Sequence, residues 1–487
     1  MKRFFLLFAM LMVFSGLQAE KTLQAYLSYT SFNVPGGDPY VETYLSVAGN
    51  SINYQQISEG KFQGVIEVVM LFKQEDEIVN YDKYDLKSPV ISDTTQLNFD
   101  ILDQHRYTLK NGSYDFEIWL SDKHSEKKPF IHSEPLTIKF PEKKIAVSGI
   151  QLLASYEPSM EQNIFTKSGY DLKPYVSNFI PDNMDRIMFY AEIYNTDQAL
   201  ESNKYLLDYY IESFETARKL VKYETIKRQD AADVTPILST IDIANLPSGN
   251  YKLVIEARDK DNQLIAFNKL FFQRSNPDVQ FDVSEIMAVN VQNTFVEDID
   301  NLDTLKEYIR SLAPISSEIE KQFAQRQFGK NDLTTMQQYF LNFWLARDNL
   351  NPARAWMDYK KQVEIVNEAY GTQVRKGYDT DRGRVYLKYG PPNIITESYN
   401  EPHAYPYEIW HYYTLSEHQR DKKFVFMAHD MVTNNFELIH SNALGELSNY
   451  KWQILLHRRN LGTGDVDERG NIDAWGNKAG EYYNEPF

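Results

Sequence analysis

The chain has 487 residues, 43% of them hydrophobic and 24% charged. That is a globular composition, and too long a chain for one core. It holds no cysteine, which excludes disulfides, thiolate metal sites and cysteine nucleophiles. The formal net charge is −17. It becomes −19 (49 basic against 68 acidic residues) once Lys2 and Arg3 leave with a leader, and such a balance repels nucleic acid and anionic lipid surfaces.

Residues 1–19 read as a signal peptide. Met1-Lys2-Arg3 is basic, Phe4 to Phe14 is almost wholly apolar, and Ser15 to Ala19 is a small-residue exit with cleavage expected before Glu20. The apolar run is too short to span a bilayer, which takes about 20 residues. No later stretch is long and apolar enough to span. The mature chain is expected to be exported, and to be periplasmic or associated with the outer membrane.

Residues 20–142 and 143–277 read as two β modules. Phe62–Phe72 and Tyr40–Val47 are strand candidates in the first. In the second, Ile187–Tyr194 alternates with period two, and Lys204–Phe214 is expected to be its partner strand. Leu109-x-x-Gly112-x-Tyr114-x-x-x-Ile118 recurs as Leu246-x-x-Gly249-x-Tyr251-x-x-x-Ile255. A tyrosine in this setting marks the corner of a Greek-key sandwich, its hydroxyl bonding back to the chain upstream. The fold class expected is therefore multidomain: two tandem immunoglobulin-like β-sandwiches, then a helical segment packed on an antiparallel β-meander. Such sandwiches serve as spacers or as carbohydrate-binding platforms, and the tyrosines suit either.

A linker is placed at 278–300 and an α+β domain at 301–460. Leu302, Leu305, Ile309 and Leu312 fall at helical spacing. Ser317-x-x-Glu320 is a capping box, Asp332 caps a third helix, and Asn351-Pro352 opens a fourth that Gly371 closes. Gly377 is expected to leave that helix in a left-handed turn. Val385–Tyr389 is expected to be a strand, stopped by Gly390-Pro391-Pro392. Tyr407–Tyr412, Phe424–Ala428 and Phe436–Ile439 continue the meander.

Four blocks here stand in a specific order: Phe343-Trp344-x-x-Arg347-Asp348, Val366-Asn367-x-x-Tyr370-Gly371, Gly377-Tyr378-x-Thr380-Asp381-Arg382-Gly383-Arg384, and Tyr389-Gly390-Pro391-Pro392. Over roughly residues 300–440 they resemble the GWxTD-domain family of exported bacterial proteins, with Tyr378 where tryptophan is typical. The resemblance implies β modules ahead of the domain and no established enzymatic activity. The run Gly-Pro-Pro, Trp-x-Tyr, Phe-x-Phe is also similar to a small lipoprotein subunit of the outer-membrane barrel-assembly machine, which implies protein binding.

No catalytic residue, metal site or cofactor is assigned. Asp381, Arg382 and Arg384 form a dense charge cluster, read either as an anion or acid/base centre or as an ion-pair lock. Six histidines lie between His403 and His457. They lack metalloprotease spacing and read as scattered surface residues. The Gly-rich acidic tail, 461–487, carries Trp475, Tyr482 and Tyr483 and is either a free end or a segment that orders on a surface. The function expected is a non-enzymatic docking or scaffold component of an envelope assembly with a protein partner. The alternative is a glycan-binding or glycan-processing protein.

Overall fold

The computed structural model describes residues 23–277, 279, 290–457 and 477–484, except 76, 96, 201–202, 402, 417–418, 431 and 450. The leader read over 1–19 lies outside them, as do residues 278 and 280–289 of the linker and 461–476 of the tail. Among the described residues no helix is long and apolar enough to cross a membrane.

The first module is a two-sheet antiparallel sandwich. Ala25–Phe32, Tyr40–Ala48 and Asp100–Thr108 form one sheet. Glu77–Lys87, Val65–Gln74, Gly112–Asp122 and Phe130–Ile138 form the other, in that order. Alternation places Ile66, Val68, Met70 and Phe72 in the core, where they meet Val41, Leu45 and Val47.

The second module repeats the plan. Arg186–Tyr194 pairs with Val234–Asp242 and Gln151–Pro158. The opposite sheet runs Phe179–Ile180, Leu264–Arg274, Gly249–Arg258, Lys204–Ser213, Lys219–Asp230. Lys204–Ser213 is a strand, but it is not the partner of 187–194. The chain turns through Asn195, in a left-handed conformation, and a short helix at Thr196–Ala199, and so crosses to the other sheet. Tyr205, Leu207, Tyr209 and Ile211 then face Ile187, Phe189, Ala191 and Ile193 across the core. The apolar periodicity that suggested pairing comes from this face-to-face packing. In both modules the corner tyrosine donates four residues upstream: Tyr114 Oη to the Lys110 carbonyl at 2.8 Å and Tyr251 Oη to the Pro247 carbonyl at 3.0 Å.

The sandwiches share a buried junction. Glu42 of the first is almost fully buried and meets Lys167 of the second at 3.2 Å. Burial pulls the Lys167 ammonium down to about 8 against the attraction of Glu42 and Glu192. The Lys167 ammonium lies 2.9 Å from the Phe32 ring centroid, and Tyr194 Oη accepts from the Asn33 amide at 3.0 Å.

In the C-terminal domain, helices Leu302–Ser311, Glu318–Phe328, Leu333–Leu345 and Pro352–Tyr370 close a core around Leu305, Phe340, Trp344 and Trp356. Ser317 and Glu320 form a complete capping box, and Asp332 accepts from the Thr335 amide. A further helix, Asp381–Tyr389, and the end of the Pro352–Tyr370 helix carry this segment onto a meander of Ile394–Ser398, Tyr407–Ser416, Gln419–Ala428 and Phe436–Ser441. Val385 and Tyr370 pack against Trp410 and Phe426 there. The sheet's second face is covered by helices Trp452–Leu456 and Ala479–Asn484. Tyr482 and Tyr483 of the tail thus lie on the domain.

Candidate functional site

The stretch around Gly377 joins three segments at backbone contact. A Cβ on Gly377 would stand 2.0 Å from the Val366 carbonyl oxygen, and one on Gly383 would stand 1.9 Å from the Gly377 carbonyl oxygen. Neither glycine has a positive φ, so the expected left-handed exit at Gly377 is not what it provides. Both positions need the missing side chain. Thr380 locks the contact: its hydroxyl donates to the Gly377 carbonyl at 2.7 Å and accepts from the Gly383 amide at 3.2 Å.

Thr380 is thereby the N-cap of the Asp381–Tyr389 helix. The strand expected at Val385–Tyr389 is this helix, and the meander's first strand is Ile394–Ser398. Val-Tyr-Leu-Lys-Tyr alternates well enough to read as a strand. The cap three residues ahead of Gly383 starts a turn instead, and it brings Arg384 and Lys388, four apart, to one acid. Gly390, at φ 82°, ends the helix. Its carbonyl accepts from Tyr412 Oη at 2.9 Å, and Pro391 and Pro392 lead into the meander.

The charge cluster separates into three ties. Asp381 Oδ2 accepts from the Leu438 amide of the edge strand at 2.8 Å. Arg382 is buried, pairs with buried Glu408 at 2.6 Å, donates to the Asn434 carbonyl at 2.9 Å and lies 4.1 Å from the Phe436 ring centroid. Arg384 meets Glu446 with both arms, at 3.1 and 2.7 Å. Lys388 and the Tyr389 hydroxyl join the same carboxylate at 2.7 and 2.8 Å. Tyr378, at the namesake position, is buried against Val363, Val366 and Leu387, and its hydroxyl donates to Glu307 at 3.1 Å. Burial and the Glu307 charge push that phenol up.

The helical block is equally committed. Phe343 and Trp344 are core residues. Arg347 grips Glu320 with both arms at 2.9 Å and donates to the Ile315 and Phe343 carbonyls. Asp348 Oδ1 accepts from the Leu350 and Asn351 amides. That places the turn ahead of the Pro352–Tyr370 helix on Asp348, whereas the Asn351 side chain makes no cap bond.

Sequence reasoning missed Glu408 and Glu446, and it read Glu320 as a capping residue without its pairing to Arg347. Glu320, Glu408 and Glu446 lie 27, 26 and 62 residues from their arginines. The one local signal is Glu408 itself, a carboxylate inside the apolar strand Tyr407–Ser416. The histidines are not all at the surface. His403 and His429 are exposed, and His418 lies outside the described residues, but His411, His440 and His457 are buried. Burial pushes the His440 imidazole down to about 4. It is neutral at pH 7, accepting from the Asn449 amide at Nδ1 and bonding Tyr483 Oη through Nε2 at 3.0 Å.

Burial raises the Glu446 carboxyl, but the Lys388 charge and the Arg384 pair outweigh it and hold it at about 2. The folded value is below the unfolded one, so the stabilisation is complete above the ordinary carboxylate range. It is lost as pH falls through that range to about 2. The expected result is a domain that loses on the order of 2–3 kcal/mol between pH 6 and 2.5. Glu446→Gln should start lower at pH 7 and flatten the profile. Urea midpoints followed by tryptophan fluorescence across pH check this.

Beside this clamp lies a cleft of about 480 Å³ between the second sandwich and the C-terminal domain. Phe214, Lys252, Lys269 and Phe271 form one wall. Arg347, Lys388, Tyr389 and Leu444 are among the residues of the other.

Residues 280–453 match the family model of the GWxTD domain. The chain carries a GWxTD domain. Arg347 and the Thr380–Tyr389 segment, which hold helices to sheet, both fall inside the matched GWxTD domain. No curated protein matches the chain. Similar solved structures include the red sea bream transglutaminase, at 8% identity over 52% of this chain and 31% of that one, TM-score 0.18. The fibronectin(III)-like modules of Clostridium thermocellum CbhA match at 10% identity over 50% and 89%, TM-score 0.14. A glycosyl hydrolase family 2 member from Bacteroides cellulosilyticus matches at 10% over 48% and 26%, TM-score 0.18. The chain spans about a third of the transglutaminase, and likenesses at these scores bear on neither activity nor ligand.

Proposed function

We propose that this protein is a non-enzymatic, exported docking or scaffold component of a bacterial cell envelope. One observation carries the reading: Thr380, Asp381, Arg382 and Arg384 each bond a partner inside the domain, which makes the motif a clamp rather than a reaction centre. The basic, apolar, small-residue order of the leader supports export. The test is a crosslinked pull-down of the mature chain from its native envelope, with mass spectrometry of the co-purifying proteins. One membrane-associated protein partner near equal stoichiometry is the expected result. A chain that comes down alone overturns the reading.

A second reading, glycan binding, is favoured by one surface. Trp119 stands 36% exposed on the outer face of the first sandwich, between Val69 and Ile131 on neighbouring strands. A flat, partly exposed indole suits a sugar ring. Binding on a glycan array that disappears with Trp119→Ala would select this reading, and an array without binding would discard it.

A further inference from the structure

We infer that the cleft between the second sandwich and the GWxTD domain receives an acidic, aromatic-bearing peptide segment of the partner protein. This rests on the docking reading and gives it a place. The volume of about 480 Å³ suits two or three side chains rather than a single ion.

The walls supply two kinds of contact. Phe214 and Phe271 meet edge to face, with centroids 4.9 Å apart. With Tyr389 and Leu444 opposite, they give apolar surface for a ring or an aliphatic side chain. Around it stand Lys252, Lys269, Arg347 and Lys388.

Charge decides the sign of the guest. Glu212 is shared by Lys269 at 2.9 Å and Lys252 at 3.6 Å. Glu446 is shared by Arg384 and Lys388, each at 2.7 Å. Each of these carboxylates thus faces two cations, while Arg347 is balanced by Glu320 and Arg384 also stands 4.0 Å from Asp381. Burial raises the carboxyl of Glu215, the acid on the cleft wall, and its Oε1 accepts from the Asn250 side-chain amide at 3.1 Å. Four cations and one carboxylate line the cleft, in a chain of net charge −17. A carboxylate is steered there and a basic segment is turned away. The lysines are held in place by their acids, and their side chains are a quarter exposed or less. Donors already held in place cost a ligand little ordering entropy.

Two blocks of the family pattern contribute to this cleft: Arg347 from the helical block, and Lys388 with Tyr389 from the end of the motif helix. The clamp therefore also positions one wall of the groove.

The experiment pans a random dodecapeptide library on the mature chain, residues 20–487, with counter-selection on Leu444→Trp. Leu444 is 38% exposed, so the indole can occupy the groove without entering the core. The expected clones place aspartate or glutamate beside an aromatic residue. They should lose affinity at least ten-fold on Lys252→Gln/Lys269→Gln and weaken with salt. Clones that do not distinguish wild type from Leu444→Trp, clones with no acidic residue, or no clones at all overturn the assignment. The envelope pull-down separates the two claims. A partner captured equally well by Leu444→Trp sinks the cleft and leaves docking intact. No partner on the wild-type chain sinks docking itself.

Discussion

Gly383→Ala is expected to cost the C-terminal domain more than about 3 kcal/mol, and to leave it substantially unfolded at 37 °C. The added methyl would lie 1.9 Å from the Gly377 carbonyl oxygen and 2.6 Å from Val366 Cγ1. The first of these is backbone, so relief requires the Gly377–Asp379 turn and the Asp381–Tyr389 helix to move apart. That movement breaks both Thr380 hydrogen bonds. Intrinsic helix preference works the other way, since alanine is about 1 kcal/mol better than glycine inside a helix. The measured sign therefore tests the contact against the propensity. Gly329→Ala is the control: Gly329 has a right-handed helical conformation, and a Cβ there meets nothing within 4 Å. It should be neutral or stabilise by a few tenths to about 1 kcal/mol. Trp344, Trp356, Trp410 and Trp452 all lie in this domain, so tryptophan fluorescence in urea reads it with little contribution from the sandwiches. A Gly383→Ala midpoint at or above wild type would refute the close-contact account.

Arg382→Met is expected to cost about 3–5 kcal/mol. The loss comes less from the missing attraction than from what stays behind. Glu408 is buried in the sheet, and without the guanidinium it keeps only the Tyr399 hydroxyl and the Trp410 indole N–H. Removing the stranded charge should repair part of the damage, so Arg382→Met/Glu408→Gln should recover at least a third of the loss. The double-mutant cycle in urea is the measurement. Additive losses would mean that the two groups do not act as a pair. Lys is not an adequate replacement for Arg382, because one ammonium cannot reach Glu408 and the Asn434 carbonyl while lying over the Phe436 ring.

Much of the architecture was legible where the signal is local. The corner tyrosines, the Ser317–Glu320 capping box, the Asp332 cap and the later meander strands all rest on residues within a few positions of one another. What failed was decided at a distance. The helix at Asp381–Tyr389 carries a period-two apolar pattern, and only the Thr380 cap and the placement of Glu446 tell it from a strand. Lys204–Ser213 has the apolar alternation of a partner for 187–194 because both line one core, from opposite sheets. The charge cluster looked like one site because Asp381, Arg382 and Arg384 are neighbours in the chain. A helix sends successive side chains in different directions, here to a strand amide, a buried glutamate and a distant loop. The burial of His440 and His457 left no trace in spacing, since each is enclosed by the short helices packed on the sheet's second face.

The junction between the sandwiches bears on how such a chain can be cut and recombined. Modules of this shape are commonly exchanged between proteins like beads on a string, each closed by its own polar surface. These two are not separable beads. A break between them would strand Glu42 and Lys167 on opposite fragments and bare the Phe32, Tyr40 and Tyr190 rings. The heritable unit here is the pair, and dissection or grafting has to carry both sandwiches as a single cassette.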